Sequence, residues 1–452
     1  MGLTGLLLRA GAARPHVLIV TMPGATAVRL AAEEQLRRRG WPAALSPADA
    51  DILLACGDFT PRMAAAATET WQAMPAPRAR AAAVRPAEVA AALDAARAAV
   101  ADLVGQRGLA AETAGRGMAH DTPHGGMAMS ETPAGHMDMD MAAMDMDGMH
   151  GMDMDMAAMD MDGMHDMDMD GMPGMPMGGM GEMDMGGMVV RGTAMARRGP
   201  DRDGLRLDQL HLPLGPVLPD WPAGLLLCLT LQGDVIQEAE AEALAGGDGS
   251  FWDEPWRRAA AGQRVTTAEA SRRRAAAHLD SLARLLGVAG WEAAATAARR
   301  LRDDVLAGTP GSGVERDVRR FTRRVGRSRV LAWLSRGLGV LDAADAAAAG
   351  VTGPAAAGGD VTARYRRWCA GLDDAVAVFD DTSPLRPAEF GPPRGWAGAG
   401  GRPGTGEGPA GLVAVLPRLL AGTEFAGARL IIASLDPDLD QLPARAGAGR
   451  GH

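Results

Sequence analysis

The chain has 452 residues, 47% hydrophobic content and a formal charge of −10, enough for two or three domains with real cores. The stretch from Met118 to Met188 holds 15 of the 56 acidic residues and no Arg, so the remainder is close to balanced and nucleic acid is not an expected partner. Cys56, Cys228 and Cys369 are the only cysteines and form no C-x-x-C pair, which excludes a self-contained zinc or iron–sulfur site of the Cys-only kind.

In chain order, His16 to Thr21 (HVLIVT) predicts a strand and Ala25 to Arg39 a helix, broken at Gly40 and Pro42. Asp51 to Gly57 predicts a second strand. Thr60 as N-cap and Pro61 in the first turn then open a helix that runs to Met74. Ala79 to Val84 is a weaker third strand and Pro86 to Val104 a single Ala-rich helix. Alternating strands and helices predict a small α/β domain with a parallel sheet over residues 1–110.

Residues 111–200 carry the low-complexity tract. Between Met118 and Met188 lie 24 of the 29 methionines and five of the nine histidines. MDMDMAAMDMDGMH occurs at 137–150 and again, unchanged, at 152–165. A charge at every second residue, with Gly, Ala and Pro between, predicts a disordered linker. The same residues suit metal capture, because thioethers are soft ligands for Cu(I) and imidazoles take Cu(II). The candidate ligands are Met137, Met139, Met141, Met144, Met146, Met149 and His150, then Met152, Met154, Met156, Met159, Met161, Met164 and His165. Copper is thus the candidate ligand of the tract, and no resident cofactor is expected of the folded parts.

Over residues 201–452, Leu205 to Glu242 alternates apolar and polar residues in two runs around Gly233-Asp234, a hairpin signal. Helices follow at Ala268 to Val288, with Leu279, Leu282, Leu285 and Leu286 on one stripe, and at 292–306, 314–335, 342–349, 363–378 and 412–421. This predicts an α+β, mainly helical domain. Only Leu6 to Leu8 form an apolar run near the N-terminus, and no stretch is long enough to span a bilayer. The expected location is cytoplasmic, peripheral on the inner face of the membrane.

Two stretches resemble known families. Asp51 to Arg78, with Gly57, Thr60, Met63, Met74-Pro75 and Pro77-Arg78, resembles the small, cluster-bearing subunit of respiratory complex I, the NADH:quinone oxidoreductase. The resemblance implies a [4Fe–4S] ligand just after the MP-x-PR turn, where this chain has Ala81-Ala82-Ala83. Cys56 does not match a ligand position and reads as a small buried hydrophobe.

The second resemblance, to the large subunit shared by complex I and nickel–iron hydrogenases, rests on four blocks in order. These are Gly215 to Glu240, Ser271 to Leu286, Gly337 to Pro354, and Gly408 to Leu435 with its Ser-Leu-Asp-Pro finish. The resemblance implies quinone-facing histidines in the opening turn, where Val217-Leu218 and Asp220 to Ala223 stand instead. It also implies nickel thiolates in a C-x-x-C after the hairpin and in a final D-P-C-x-x-C. Residues 243–268 contain no cysteine, and the final motif reads Asp436-Pro437-Asp438-Leu439-Asp440-Gln441. His278 and Asp436 are the retained polar residues and read as structural.

The expectation is a fusion of two degenerate subunits, partnered by subunits of a membrane-bound respiratory or hydrogenase-like complex. A copper- or nickel-binding protein acting through the tract, and an active electron-transfer oxidoreductase subunit, are the alternatives.

Overall fold

The computed structural model describes residues 10–119, 189–190, 193–194, 197–200, 206–247, 249–308, 313–395 and 407–442, with backbone only for 112–119, 189–207 and 407. Three parallel strands, β1 (Val17–Thr21), β2 (Ile52–Cys56) and β3 (Ala79–Ala83), pair in that order, Val17 opposite Ile52 and Ile52 opposite Ala79. Helix α1 (Thr26–Arg39) connects β1 to β2 and ends where Gly40 turns left-handed. Helix α2 (Pro61–Ala73) connects β2 to β3. Thr60 does occupy the position before Pro61, but its hydroxyl makes no capping bond.

The single helix expected from Pro86 to Val104 is divided. Pro86–Glu88 form a 3-10 turn, α3 spans Val89–Val100, and α4 spans Leu103–Ala119. The Asp102 carboxylate causes the break, accepting from the Val104 and Gly105 amides and so capping a new helix. Beyond Ala119 the next described residues are the short strands β4 (Val189–Val190) and β5 (Thr193–Ala194). Both copies of the duplicated unit lie outside the described residues.

A four-stranded antiparallel sheet follows: β6 (Arg197–Pro200), β7 (Arg206–Leu214), β8 (Leu225–Gln232) and β9 (Val235–Ala243). The Gly233-Asp234 hairpin joins β8 to β9 with Gln232 opposite Val235. The run before the hairpin is divided into β7 and β8. Pro216, Pro219 and Pro222 cannot donate to a ladder, and Gly215 and Gly224 adopt positive φ, so 215–224 becomes a loop.

The helical part contains α5 (Glu254–Ala260), which the sequence patterning missed, then α6 (Thr267–Val288) and α7 (Glu292–Ala307). The region expected as one helix at 314–335 is α8 (Val314–Gly326) and α9 (Arg329–Ser335). Gly326 weakens the junction and Ser328 caps the second helix, accepting from the Leu331 amide at 3.2 Å. Then come α10 (Ala343–Ala348), α11 (Val361–Val376), α12 (Glu407–Leu420) and α13 (Phe425–Leu435). The α6 stripe of Leu279, Leu282, Leu285 and Leu286 is fully buried, each side chain contributing about 1.5–3 kcal/mol of apolar transfer.

Each part has its own hydrophobic core, but the two interlock. Leu30 of α1 packs into the helical core, and Leu244 and Ala245 pack into the core of the parallel sheet. Gly224 lies so close to Pro23 that an added Cβ would meet its ring at 2.7 Å.

Candidate functional site

Two loops converge at the junction of the two parts. The first follows β9 and contains Ser250 and Asp253, the second follows α13 and runs from Asp436 to Gln441. Asp436 caps α13 in left-handed conformation, its amide bonded to the Ile432 carbonyl at 3.0 Å, which turns the chain sharply inward. Asp253, Asp436, Asp438 and Asp440 are all buried.

Each carboxylate has partners from a different element. Asp436 accepts from Ser281 at 2.5 Å and pairs with Arg284 and Arg394, both at 2.6 Å. Asp438 accepts from the Ser250 hydroxyl at 2.5 Å and pairs with Arg394 at 3.0 Å. Asp440 accepts from the Gly24 amide at 2.6 Å and the Thr26 hydroxyl at 3.0 Å, both from the start of α1. Asp253 Oδ2 accepts from Gln441 Nε2 at 2.7 Å, while its buried Oδ1 has no partner.

The electrostatics follow from this uneven pairing. Burial and the nearby Asp438 carboxylate push Asp253 up to about 8. The same two causes push Asp440 up to about 7. Burial alone would lower Arg394, but Asp436 and Asp438 hold it above the usual arginine range.

A second set of charges continues the first across the junction. Arg29 of α1 binds Asp280 of α6 in bidentate fashion at 3.1 and 2.9 Å, and Arg302 of α7 reaches both Asp280 and Glu33 at 2.7 Å. Arg284 touches both Asp280 and Asp436, linking the two sets. Burial by itself would raise Glu33, yet Arg302 and Arg29 bring it down to about 2. Asp280 is likewise held well below the carboxylate range by Arg29, Arg284 and Arg302, against its burial.

The nickel chemistry implied by the second resemblance does not fit these residues. The final motif places Asp438 and Gln441 where thiolates are implied, and opposite them stand Ser250 and Asp253, also separated by two residues. The four positions hold one hydroxyl, two carboxyls and an amide, and Arg394 already neutralises Asp438. The nickel site that the resemblance implies is made of four thiolates, and none of these four positions supplies one. Among the described residues no group of three or more His, Cys, Asp or Glu is arranged to hold a metal ion. Asp438 and Gln441 were legible in the sequence, but Ser250 and Asp253 were missed, because their signal is the retained spacing and not the residue type.

The implied cluster and quinone sites fit no better. At β3, Ala81–Ala83 offer no ligand, and Cys56 is buried in β2, where burial pushes its thiol up to about 12. In the opening turn Asp220 is paired with Arg299 at 2.6 Å, and Trp221 donates to the Leu225 carbonyl at 2.7 Å. His278 is buried on α6, where burial, Arg274 and Arg394 push it down to about 3. It borders a cleft of about 330 Å³ with Arg274, Arg367 and Asp374, and its ring packs on Gly371 of α11. Asp436 is the anchoring hydrogen-bond partner that the sequence suggested.

All fourteen Met and His residues of the duplicated unit lie outside the described residues, so the site built above shares none of them. Among the described residues no helix is long and apolar enough to cross a membrane.

No known protein family and no curated protein matches the chain. Among solved structures it is similar to a chain of the membrane-bound sulfane sulfur reductase, an archaeal respiratory membrane complex. The identity is 18% and the TM-score 0.37, with 52% of this chain and 98% of that chain covered.

Proposed function

We propose that the chain is a non-catalytic subunit of a complex-I-like respiratory membrane complex, a small-subunit-like part over 1–110 and a large-subunit-like part over 201–452 fused by the Met/Asp tract. The observation that carries this reading is the Ser250, Asp253, Asp438 and Gln441 constellation. It keeps the spacing of two facing C-x-x-C pairs while Arg394 satisfies Asp438 internally. The buried pairs from Arg29 to Asp280 and from Arg302 to Glu33 support docking of the two parts within one chain. Fusion would hold them at a high local concentration.

Affinity purification of the tagged chain from native membranes tests the proposal. Recovery of membrane subunits of a respiratory complex is the expected result. Recovery of soluble proteins alone refutes it.

A second reading is favoured by one observation, the unchanged repeat of fourteen residues carrying Met137 to His150 and Met152 to His165. It makes the tract a copper ligand. Titration of the full chain with Cu(I) against a competing chelator decides it: binding only in the millimolar range removes the reading.

A further inference from the structure

Helix α9 turns an apolar face to water. Val330, Trp333 and Leu334, at positions i, i+3 and i+4, are 68%, 78% and 38% exposed, and Val340 just beyond is 56% exposed. The orientation is fixed from the other side. Leu331, Ala332 and Ser335 are buried, and the Ser335 hydroxyl lies 2.7 Å from that of Thr362 on α11. The helix therefore cannot roll its apolar residues inward without breaking that contact.

The surroundings are strongly cationic. Arg319, Arg320, Arg323, Arg324 and Arg327 are exposed along and just after α8, whose other face buries Val318, Phe321 and Val325. Arg329 and Arg336, also exposed, flank the apolar residues of α9. From 318 to 341 the sequence contains seven arginines and no acidic residue. None of the seven forms an ion pair among the described residues, whereas Arg316, just before them, pairs with Asp317.

Scattered exposed apolar side chains are ordinary on soluble proteins. Arg324 stacks over Trp291 at 5.1 Å and Arg323 donates to the Arg319 carbonyl, but none of the seven meets a carboxylate among the described residues. A Trp-bearing face at helical spacing, set among such arginines, is the composition of a segment that lies in a bilayer interface. Guanidinium groups match phosphate oxygens in bidentate geometry, and Trp sits favourably at headgroup depth. We infer that the α8–α9 surface docks on an anionic phospholipid bilayer, with the arginines at the headgroup phosphates and Val330, Trp333 and Leu334 below them. The inference goes beyond the subunit proposal, since it needs no protein partner in the membrane.

Flotation of the full chain with protein-free vesicles tests it, comparing phosphatidylcholine alone with phosphatidylcholine containing phosphatidylglycerol. Binding is expected on the anionic vesicles only and should weaken as salt is raised. R319Q/R320Q/R323Q should lower partitioning on the order of 100-fold, from about five-fold per arginine at an anionic surface. W333S should lower it several-fold. All four side chains are exposed, so thermal unfolding of both variants should match the parent.

Absence of flotation, equal binding to neutral vesicles, or indifference to both variants overturns the inference. If the chain fails to float while the same variants release it from membrane subunits, an acidic protein surface is the occupant and lipid is not. Parent chain that floats only after the tract aspartates are changed to Asn would instead assign the patch to that tract. Because the vesicles contain no protein, failure here leaves the subunit proposal to its own test.

Discussion

Arg302 offers the sharpest test of what holds the two parts together. Its side chain is 0% exposed and pairs with Glu33 at 2.7 Å, Asp280 at 2.7 Å and Asp303 at 2.8 Å. Replacement by Met keeps most of the aliphatic volume and removes the cation. Asp280 retains Arg29 and Arg284, but Glu33, 18% exposed, keeps only Arg29 and its other oxygen loses its ion-pair partner. Removing one member of a buried ion pair typically costs about 3–5 kcal/mol, most of it the stranded charge. At about 2–4 °C per kcal/mol for a domain of this size, R302M should melt about 6–20 °C below the parent in calorimetry. A second change, Glu33→Gln, should restore part of the loss, because the stranded carboxylate is then gone. The reasoning would be refuted by R302M melting within about 1 °C of the parent, or by R302M/E33Q being as unstable as the sum of the single variants.

Three further outcomes follow from the cluster. Asp253 and Asp440 are raised to about 8 and about 7 in the fold, so between about pH 4 and 8 the folded state binds more protons than the unfolded state. Their contribution is present at low pH and fades as pH rises, by up to about 1.4 kcal/mol per pH unit per group. D253N should flatten that dependence in urea titrations between pH 5 and 8, and an unchanged slope would contradict the assignment. R394M leaves Asp436 and Asp438 without their shared cation. Arg394 also restrains the upward shifts of Asp253 and Asp440, so the stability deficit of the variant should shrink as pH falls from 8 to 5, and a deficit independent of pH would show that Arg394 acts by packing alone. G371A brings a Cβ within 2.7 Å of His278 Nε2, and overpacking of this kind should destabilise by about 1–3 kcal/mol in denaturant unfolding.

Elements whose signal is local were legible in the sequence. β1, β2, α1 and α6 occur where apolar runs and stripes placed them, because strong periodicity and clear breakers such as Gly40 act over a few residues. The misplaced boundaries depend on single polar side chains. Asp102 and Ser328 restart helices inside runs whose composition is helical throughout, and three prolines divide β7 from β8. The candidate site was half visible. Asp438 and Gln441 follow a recognisable Asp-Pro, whereas Ser250 and Asp253 become a pair only when the loop after β9 meets the loop after α13, across 188 residues of sequence. Arg394, which neutralises both Asp436 and Asp438, sits in a loop between α11 and α12 with no periodic signal at all.

That arginine explains why the converging loops can remain closed without a metal-ligating set. A buried carboxylate needs an opposite charge or a proton, since an isolated ionised group in an apolar interior shifts its pKa until it is neutral. Here both solutions occur side by side. Asp436 and Asp438 share the guanidinium of Arg394, while Asp253 and Asp440, beyond its direct reach, are pushed towards the protonated form. The cation is part of the chain, so the geometry of the two loops does not depend on capturing an ion from solution. The same loops hold Gly24 and Thr26 of the parallel-sheet part through Asp440. Residues at the spacing of a ligand set thus act as a joint between two folded parts, with Asp440 fastened to the parallel-sheet part and Asp436 and Asp438 to Arg394.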